Sequence, residues 1–230
     1  MDSVGYPEFE EARTPNIGQH SPEQATAFAP YTMPSIQAML RGSMPQPINA
    51  RYRPYKNYVK SEHAIIPLSL ENQGYNTYIY SSNINITNST TQFGNEVVGG
   101  YGWFQNEHIN LDYGYTGKSM VEHFIEHYKE PFYAFFLFID THTPYGGRNK
   151  DNPEGYLREN QIRAVEKLDR VFKKLYRNVP EDTRIIVTSD HSDCWVDGVR
   201  FGHNPLHYSG LVGKGYLRNL LDVFIVEVKK

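Results

Sequence analysis

The stretches FYAFFLFI (residues 132–139) and RIIVTS (residues 184–189) decide the fold. Neither run alternates apolar with polar side chains, which is typical of strands covered on both faces, as in parallel sheets. An acid follows each run, Asp140 after the first and Asp190 after the second. Between them, residues 156–176 carry an apolar stripe at helical spacing. Strand, crossover helix and strand predict an α/β fold with a mostly parallel sheet sandwiched by helices.

The flanking segments extend this pattern. Residues 76–81 are rich in β-formers and follow a helical segment that stops at Gly74. Further elements are predicted as helices at 34–41, 64–73 and 120–128 and as a final strand at 223–228. Residues 1–30 contain several prolines and no sustained periodicity, so they are predicted to be loop with one or two short helical turns and no strand. The forty residues after 81 are predicted to be mostly irregular. We expect one α/β domain over residues 1–230.

Composition excludes several classes of protein. The 230 residues carry a net charge of −3, which argues against the basic surface of a nucleic-acid-binding protein. No apolar run approaches the ~20 residues that cross a bilayer, so the sequence predicts a soluble chain without a membrane segment. Residues 1–5 lack the features of a signal peptide. The single cysteine, Cys194, forms no internal disulfide, so the compartment stays open, as does the oligomeric state.

The acid-ended strands also carry the candidate site residues. Asp190 and His191 follow one strand directly, and His203 comes twelve residues later. A carboxylate and two imidazoles at the carboxyl end of a sheet suit a divalent metal or acid–base chemistry. The alternative is that Asp190 caps the next turn and the histidines lie on a loop. At the end of the other strand, His142 is a candidate for binding an anion or a metal, and the alternative there is a plain polar strand exit.

Thr32 lies at the start of the helix that Pro34 opens. A helix N-terminus stabilises an anion or a hydroxyl that loses its proton. The alternative is that Thr32 or Ser35 serves as an ordinary N-cap.

Taken in order, several segments resemble the sulfatase branch of the alkaline phosphatase superfamily. Thr14-Pro15-Asn16-Ile17 is similar to the family's Thr-Pro-Asn segment, and residues 29–42 resemble its nucleophile helix, in which Cys, Ser or Thr precedes Pro-Ser. The other matching segments are residues 70–77, 136–145, 186–191 and 201–203. The resemblance covers nearly the whole chain in the correct order.

This resemblance implies a function and a set of roles. Thr32 takes the nucleophile position and, with Asp190 and His191, the position of a ligand to one divalent cation, for which Ca²⁺, Mn²⁺, Mg²⁺ and Zn²⁺ are alternatives. His142 and His203 take positions near the substrate anion. The expected activity is hydrolysis or transfer of sulfate or phosphate esters, with a small anionic ester or a glycan or lipid headgroup as substrate. A threonine indicates the members that use a plain hydroxyl, as phosphodiesterase and phosphotransferase relatives do.

Three departures from the family pattern favour a rival reading. Family members begin with a strand that ends in an acidic metal ligand and lies just before the segment of residues 2–6, and we expect this chain to lack that strand, as a domain truncated at its N-terminus. Ile36 replaces the arginine that usually follows Pro-Ser, and Ser192 replaces a glycine. Losing an acidic ligand would leave the metal loose or absent. The alternative function is therefore a catalytically impaired sulfatase-like pseudoenzyme or binding module.

Overall fold

The computed structural model describes residues 1–30, 32–42, 66–81, 104–109, 116–142, 157–196, 199–202 and 220–230. The helices are α1 (Tyr6–Glu11), α2 (Thr32–Arg41), α3 (Ile66–Glu71), α4 (Gly117–His127) and α5 (Arg158–Asn178). The strands are β1 (Glu23–Thr26), β2 (Asn76–Ser81), β3 (Asn106–Ile109), β4 (Phe132–Leu137), β5 (Arg184–Thr188), β6 (Cys194–Val196), β7 (Val199–Gly202) and β8 (Asp222–Lys229). Among these residues, no helix is both long and apolar enough to cross a membrane.

Two three-stranded sheets form the centre of the molecule. One has the order β3-β2-β4, and all its pairs are parallel. The other has the order β1-β8-β5, and both its pairs are antiparallel. The predicted α/β class is confirmed, but the expectation of a mostly parallel sheet holds only for the first sheet. The second departs from it because β8 returns antiparallel to β5.

Residues 1 and 2 connect the two sheets. The backbone nitrogen of Asp2 donates to the carbonyl of Phe138, just after β4, at 3.1 Å. On the other side, Met1 donates to the carbonyl of Thr188 at 2.7 Å and accepts from the amide of Asp190 at 3.3 Å. The carboxyl ends of β4 and β5 therefore meet at one edge, with Asp2 between them.

Helices cover both faces of the parallel sheet, as the unbroken apolar runs predict. Along β2, Tyr78 and Tyr80 belong to the core cluster that includes Phe124 of α4. Ile79 points the other way and packs in a cluster with Ile36 of α2. This alternation buries successive side chains of one strand on opposite faces.

The longest helix, α5, fastens the N-terminal segment. Its Val165, Leu168 and Phe172 pack in a cluster with residues of α1 and β8, as the predicted apolar stripe requires. On the same helix, Asp169 is 1% exposed and accepts hydrogen bonds from the amides of Asn16 and Ile17 at 3.0 and 2.8 Å. The Thr-Pro-Asn-Ile segment is thus held by one buried carboxylate.

The prediction that residues 1–30 contain no strand is wrong, and some other elements were not predicted. The strand β1 has the sequence Glu-Gln-Ala-Thr, which lacks any apolar alternation, and it is extended because it pairs with the edge of β8. The short strand β3 and the β6–β7 hairpin were missed for the same reason, since pairing rather than local pattern defines them. Residues 64 and 65 of the predicted helix at 64–73 lie outside the described residues.

The hydrogen bonds from the amides of Asn16 and Ile17 to Asp169, here called the Asp169 clamp, lead to a prediction about stability. Replacing Asp169 by Ala leaves several inward-facing amides without an acceptor, and we expect the free energy of unfolding to fall by about 2 kcal/mol or more. Chemical denaturation followed by circular dichroism measures this loss. The control Asp182→Ala removes an exposed carboxylate and should change stability by no more than about 0.5 kcal/mol. Equal effects of the two changes would contradict the clamp.

Candidate metal centre

The centre is built at the carboxyl end of β5. Asp190 and His191 follow this strand after Ser189, and they are 3% and 0% exposed. Ser189 Oγ accepts from the amide of Val4 at 2.9 Å and lies 2.8 Å from the carbonyl oxygen of His191, to which it donates. The serine therefore ties the end of the strand to the N-terminal segment.

Asp2 supplies a second carboxylate, which corrects one expectation from the sequence. Its Oδ1 lies 3.7 Å from Nε2 of His191, and Oδ2 of Asp190 lies 3.5 Å from the same nitrogen. One ligand atom from each of the three residues can be chosen so that all lie within 4.8 Å of one another. Residues 1–5 form no strand, but an acidic side chain from this segment lies beside Asp190 and His191. The inference that the chain has lost this ligand is therefore wrong.

Ser3 orients both carboxylates. Its amide donates to Oδ1 of Asp190 at 3.1 Å, and its hydroxyl donates to Oδ1 of Asp2 at 2.8 Å. Its φ of 65° places it in the left-handed region, which is uncommon for a residue other than glycine. Gln161 of α5 holds this turn by donating to the carbonyl of Ser3 at 2.8 Å. The backbone turn at Ser3 thus points two acids at one place.

The orientation of His191 is fixed by its other ring nitrogen. Nδ1 lies 2.9 Å from the carbonyl oxygen of Ser192, and because a carbonyl only accepts, Nδ1 carries the proton. In the neutral ring, the Nε2 lone pair then faces Asp2 and Asp190. A histidine that donates from one nitrogen to a carbonyl and presents the other is typical of metal ligands.

Thr32 reaches the same nitrogen from α2. Its Oγ1 lies 3.2 Å from Nε2 of His191. The start of the helix is fixed by Ser35, whose buried hydroxyl donates to the carbonyl of Ala29 at 2.9 Å and accepts from its amide at 3.1 Å. Ser35 is the fourth residue of α2 and holds the segment that enters the helix, whereas the Thr32 hydroxyl contacts the cluster.

The electrostatics of the cluster favour a cation. Burial raises the pKa of Asp190, and the charge of Asp2 adds to this effect. Burial by itself lowers the pKa of His191, but the carboxylates of Asp190 and Asp2 help to reverse this, so its pKa is raised. Among the described residues, none donates a hydrogen bond to Oδ2 of Asp190. Two buried carboxylates and an imidazole lone pair that converge in this way fit a divalent ion, which takes the place of protons on its ligands.

The donor set does not single out one ion. Carboxylate oxygens suit Ca²⁺, Mg²⁺ and Mn²⁺, whereas an imidazole with carboxylates suits Zn²⁺. The chain thus offers a possible metal-binding triad for which several ions are candidates.

The structure describes one of the two remaining predicted site residues, His142. His142 is half-buried and directly follows Thr141, whose hydroxyl donates to the carbonyl of Asp2 at 2.7 Å. His203 lies outside the described residues. Asp140 has a structural contact, because its Oδ2 accepts from the amide of Gly117 at 3.0 Å, at the first residue of α4. For Asp140, this contact fits the alternative of a plain polar residue at the strand exit.

Sequence reasoning missed Asp2, Ser3 and Gly5. A Cβ at Gly5 would collide with the carboxylate of Glu8 and the hydroxyl of Ser192, so a side chain at this position would have to displace both groups. The run Asp2-Ser3-Val4-Gly5 at the expected place of the acidic ligand was the available signal. It was overlooked because the ligand was expected at the end of a strand that precedes it.

Comparison with known proteins identifies the family of the chain. The model of the sulfatase family matches residues 2–210. The chain belongs to the sulfatase family. Comparison with curated proteins gives no significant match.

Several solved structures of this superfamily share the fold of the chain. An alkaline phosphatase superfamily protein from Vibrio parahaemolyticus is 19% identical with a TM-score of 0.64, and the match covers 100% of this chain and 58% of that protein. The lipoteichoic acid synthase LtaP from Listeria monocytogenes is 13% identical with a TM-score of 0.63, covering 98% of this chain and 64% of that one. The Zn complex of the C-terminal periplasmic domain of EcEptC from Escherichia coli is 14% identical with a TM-score of 0.60, covering 100% and 71%. This sulfatase-family chain therefore spans about three fifths of the length of the first two proteins.

The triad predicts how cation binding responds to substitution. Asp2→Asn and Asp190→Asn each remove a negative charge from the cluster with little change in volume, and each should weaken binding of Mn²⁺ or Zn²⁺ at least about tenfold. Isothermal titration calorimetry on protein first stripped with a chelator measures these affinities.

The matched control is Asp140→Asn, the same change at the end of the neighbouring strand. Asp140 contacts the start of α4, so this change is expected to affect stability. The cation affinity of the variant should stay within a few-fold of the wild-type value. An equal loss of affinity in all three variants would contradict the assignment of the triad.

Proposed function

We propose that this chain is a metal-dependent hydrolase or transferase for sulfate or phosphate esters, with Thr32 as its nucleophile. The observation that carries the proposal is the contact of Thr32 Oγ1 with Nε2 of His191, at 3.2 Å, within a cluster that also includes Asp2 and Asp190. These residues are far apart in sequence, and a nucleophile beside an acidic, imidazole-containing centre is the arrangement that phosphoryl or sulfuryl transfer requires.

In this proposal, one set of residues would bind the cation, and the bound cation would activate the hydroxyl of Thr32. Asp2, Asp190 and His191 would bind the cation, and Ser3 and the carbonyl of Ser192 would keep their donor atoms pointed inward. When bound, the cation supplies positive charge that lowers the pKa of a neighbouring hydroxyl and offsets the charge of the ester. The position of Thr32 at the first residue of α2 adds the positive end of the helix dipole.

The reaction then proceeds in two displacements. Thr32 gives its hydroxyl proton to water, and Oγ1 forms a bond to the phosphorus or sulfur while the bond to the leaving oxygen breaks. His142 or His203 protonates that oxygen or holds the remaining ester oxygens. The covalent threonine ester is next attacked by water in a hydrolase or by an acceptor hydroxyl in a transferase, and the threonine hydroxyl is regenerated.

A plain hydroxyl favours phosphate chemistry within this scheme. Dedicated sulfatases of the family use a modified cysteine or serine at this position together with an arginine, whereas this chain has Thr32 and Ile36. Ile36 is fully buried in the core against the parallel sheet. The shared fold with a lipoteichoic acid synthase supports a glycan or lipid headgroup as substrate.

The rival proposal is a binding module that keeps the fold without catalysis. Its remaining support is Ile36, which places an apolar side chain where the family has a cation. Its other support, the absence of an acidic ligand, is weakened by the position of Asp2 beside Asp190 and His191. A module of this kind would bind cations and anionic esters without turning them over.

The nucleophile assignment predicts the effect of changing Thr32. We expect Thr32→Ala to lower kcat/KM on the order of 10³-fold or more, because a covalent step has no substitute for its nucleophile. Thr32→Ser keeps the hydroxyl and should retain part of the activity. Phosphodiester, phosphate monoester and aryl sulfate substrates are assayed with Mn²⁺, Zn²⁺ and Ca²⁺, and trapping of a phosphothreonine identifies the intermediate.

Thr26→Ala is the matched control, since Thr26 lies exposed on β1. It should leave turnover unchanged. Turnover that survives Thr32→Ala at the wild-type rate would refute the mechanism, and cation binding without any turnover in the wild-type chain would favour the binding module.

A further inference from the structure

Gln161 is a buried polar residue of α5 that is not a member of the triad. It is 0% exposed. Its Nε2 donates to the carbonyl of Ser3 at 2.8 Å and to the carbonyl of Thr141 at 3.2 Å. Ser3 belongs to the N-terminal segment, whereas Thr141 lies in the loop that follows β4. One side-chain amide on a long helix therefore joins these two segments.

Both of these partners hold Asp2 in place. The hydroxyl of Ser3 donates to Oδ1 of Asp2 at 2.8 Å, which fixes the carboxylate. The hydroxyl of Thr141 donates to the carbonyl of Asp2 at 2.7 Å and accepts from its amide at 3.1 Å, which fixes the backbone. Thr141 also directly precedes His142. The bonds of Gln161 thus connect the position of Asp2 to that of His142.

The chemistry of the glutamine side chain suits this connection. Each partner of Gln161 is a carbonyl oxygen, and its amide supplies two N–H donors. Its Oε1 is buried, and no described residue donates to it. A buried oxygen without a donor costs free energy, which an apolar side chain would avoid. A glutamine also carries no charge, whereas Lys or Arg at this position would repel a nearby cation.

We propose that Gln161 is a positioning residue that sets the spacing between the acids of the triad and His142. This inference rests on the function proposed above, because it concerns the cation and the ester that the same site would bind. Hydrogen bonds behind the ligands of a metal keep their donor atoms directed at the ion, and losing one typically weakens binding by about 10–100-fold. Gln161 acts through Ser3 and Thr141 rather than as a ligand.

The test compares Mn²⁺ binding to the wild-type chain and to Gln161→Met, by isothermal titration calorimetry on protein first stripped with a chelator. Methionine has a similar length and lacks both N–H donors. We expect the variant to bind Mn²⁺ at least about tenfold more weakly, because the turn at Ser3 loses its support. With Mn²⁺ saturating, kcat should also fall by about tenfold or more, because the loop that carries His142 is no longer bonded to α5.

Asp169→Asn is the matched control. Asp169 is also buried on α5 and also holds an N-terminal segment, through the amides of Asn16 and Ile17. This variant should unfold at a lower temperature but keep its Mn²⁺ affinity within a few-fold of the wild-type value. An equal loss of affinity in both variants would overturn the proposal, because a general loosening of α5 would then explain it. Unchanged affinity in Gln161→Met would overturn it as well.

A second measurement does not depend on a variant. In nuclear magnetic resonance of the ¹⁵N-labelled wild-type chain, both side-chain amide protons of Gln161 should exchange slowly with solvent, because both are bonded in the interior. Their signals should shift when Zn²⁺ is added, since the ion binds to residues that these protons support. Fast exchange of both protons, or signals that do not respond to the ion, would overturn the proposal.

The outcomes separate this role from the proposed activity. A wild-type chain that binds Mn²⁺ without turning over any ester would contradict the hydrolase or transferase, while the affinities of Gln161→Met and Asp169→Asn still decide the role of Gln161. A wild-type chain that binds no Mn²⁺ and no Zn²⁺ would overturn both proposals.

Discussion

The structure depends on the position of residues 1–3 between two strand ends. Asp2 bonds to Phe138 after β4, and Met1 bonds to Thr188 at the end of β5. These backbone hydrogen bonds connect a parallel sheet to an antiparallel one and bring Asp2 to the edge where Asp190 emerges. Because backbone groups buried at this edge need partners, the same bonds that join the sheets also place the acids of the candidate centre.

This placement has an electrostatic cost, which a bound cation would offset. Two carboxylates that are 0% and 3% exposed lie against one imidazole nitrogen. Burying such charges without compensation costs several kcal/mol per ion. Ser3 donates a hydrogen bond to each of the two acids and so holds both in this position. Structural packing alone would be served as well by apolar side chains, and the arrangement is therefore consistent with the cation site that we propose.

Sequence patterns predicted the elements whose signals are local. The strands β4 and β5 were predicted from unbroken apolar runs and α5 from its apolar stripe, and the structure confirms all three elements. The further expectation that β5 is covered on both faces of a parallel sheet is wrong, because β5 pairs antiparallel with β8 and Ile186 is 56% exposed. The strand β1 could not be predicted because its residues become a strand only by pairing with β8. Asp2 escaped notice for a similar reason, since a three-residue segment has no periodicity and its position depends on partners more than 130 residues away. Asp190, His191 and Thr32 were nominated from strand ends, a helix start and a family resemblance, and their roles stay predictions.

The central claim is that Asp2, Asp190 and His191 together bind one divalent cation beside the hydroxyl of Thr32. A crystal structure of the protein grown with Mn²⁺, with data collected at the manganese absorption edge, tests this most directly. The account predicts a single strong anomalous peak bonded to all three side chains, with Thr32 Oγ1 facing the ion. A well-ordered site in which Asp2 points away from Asp190, with no anomalous peak between them, would contradict it.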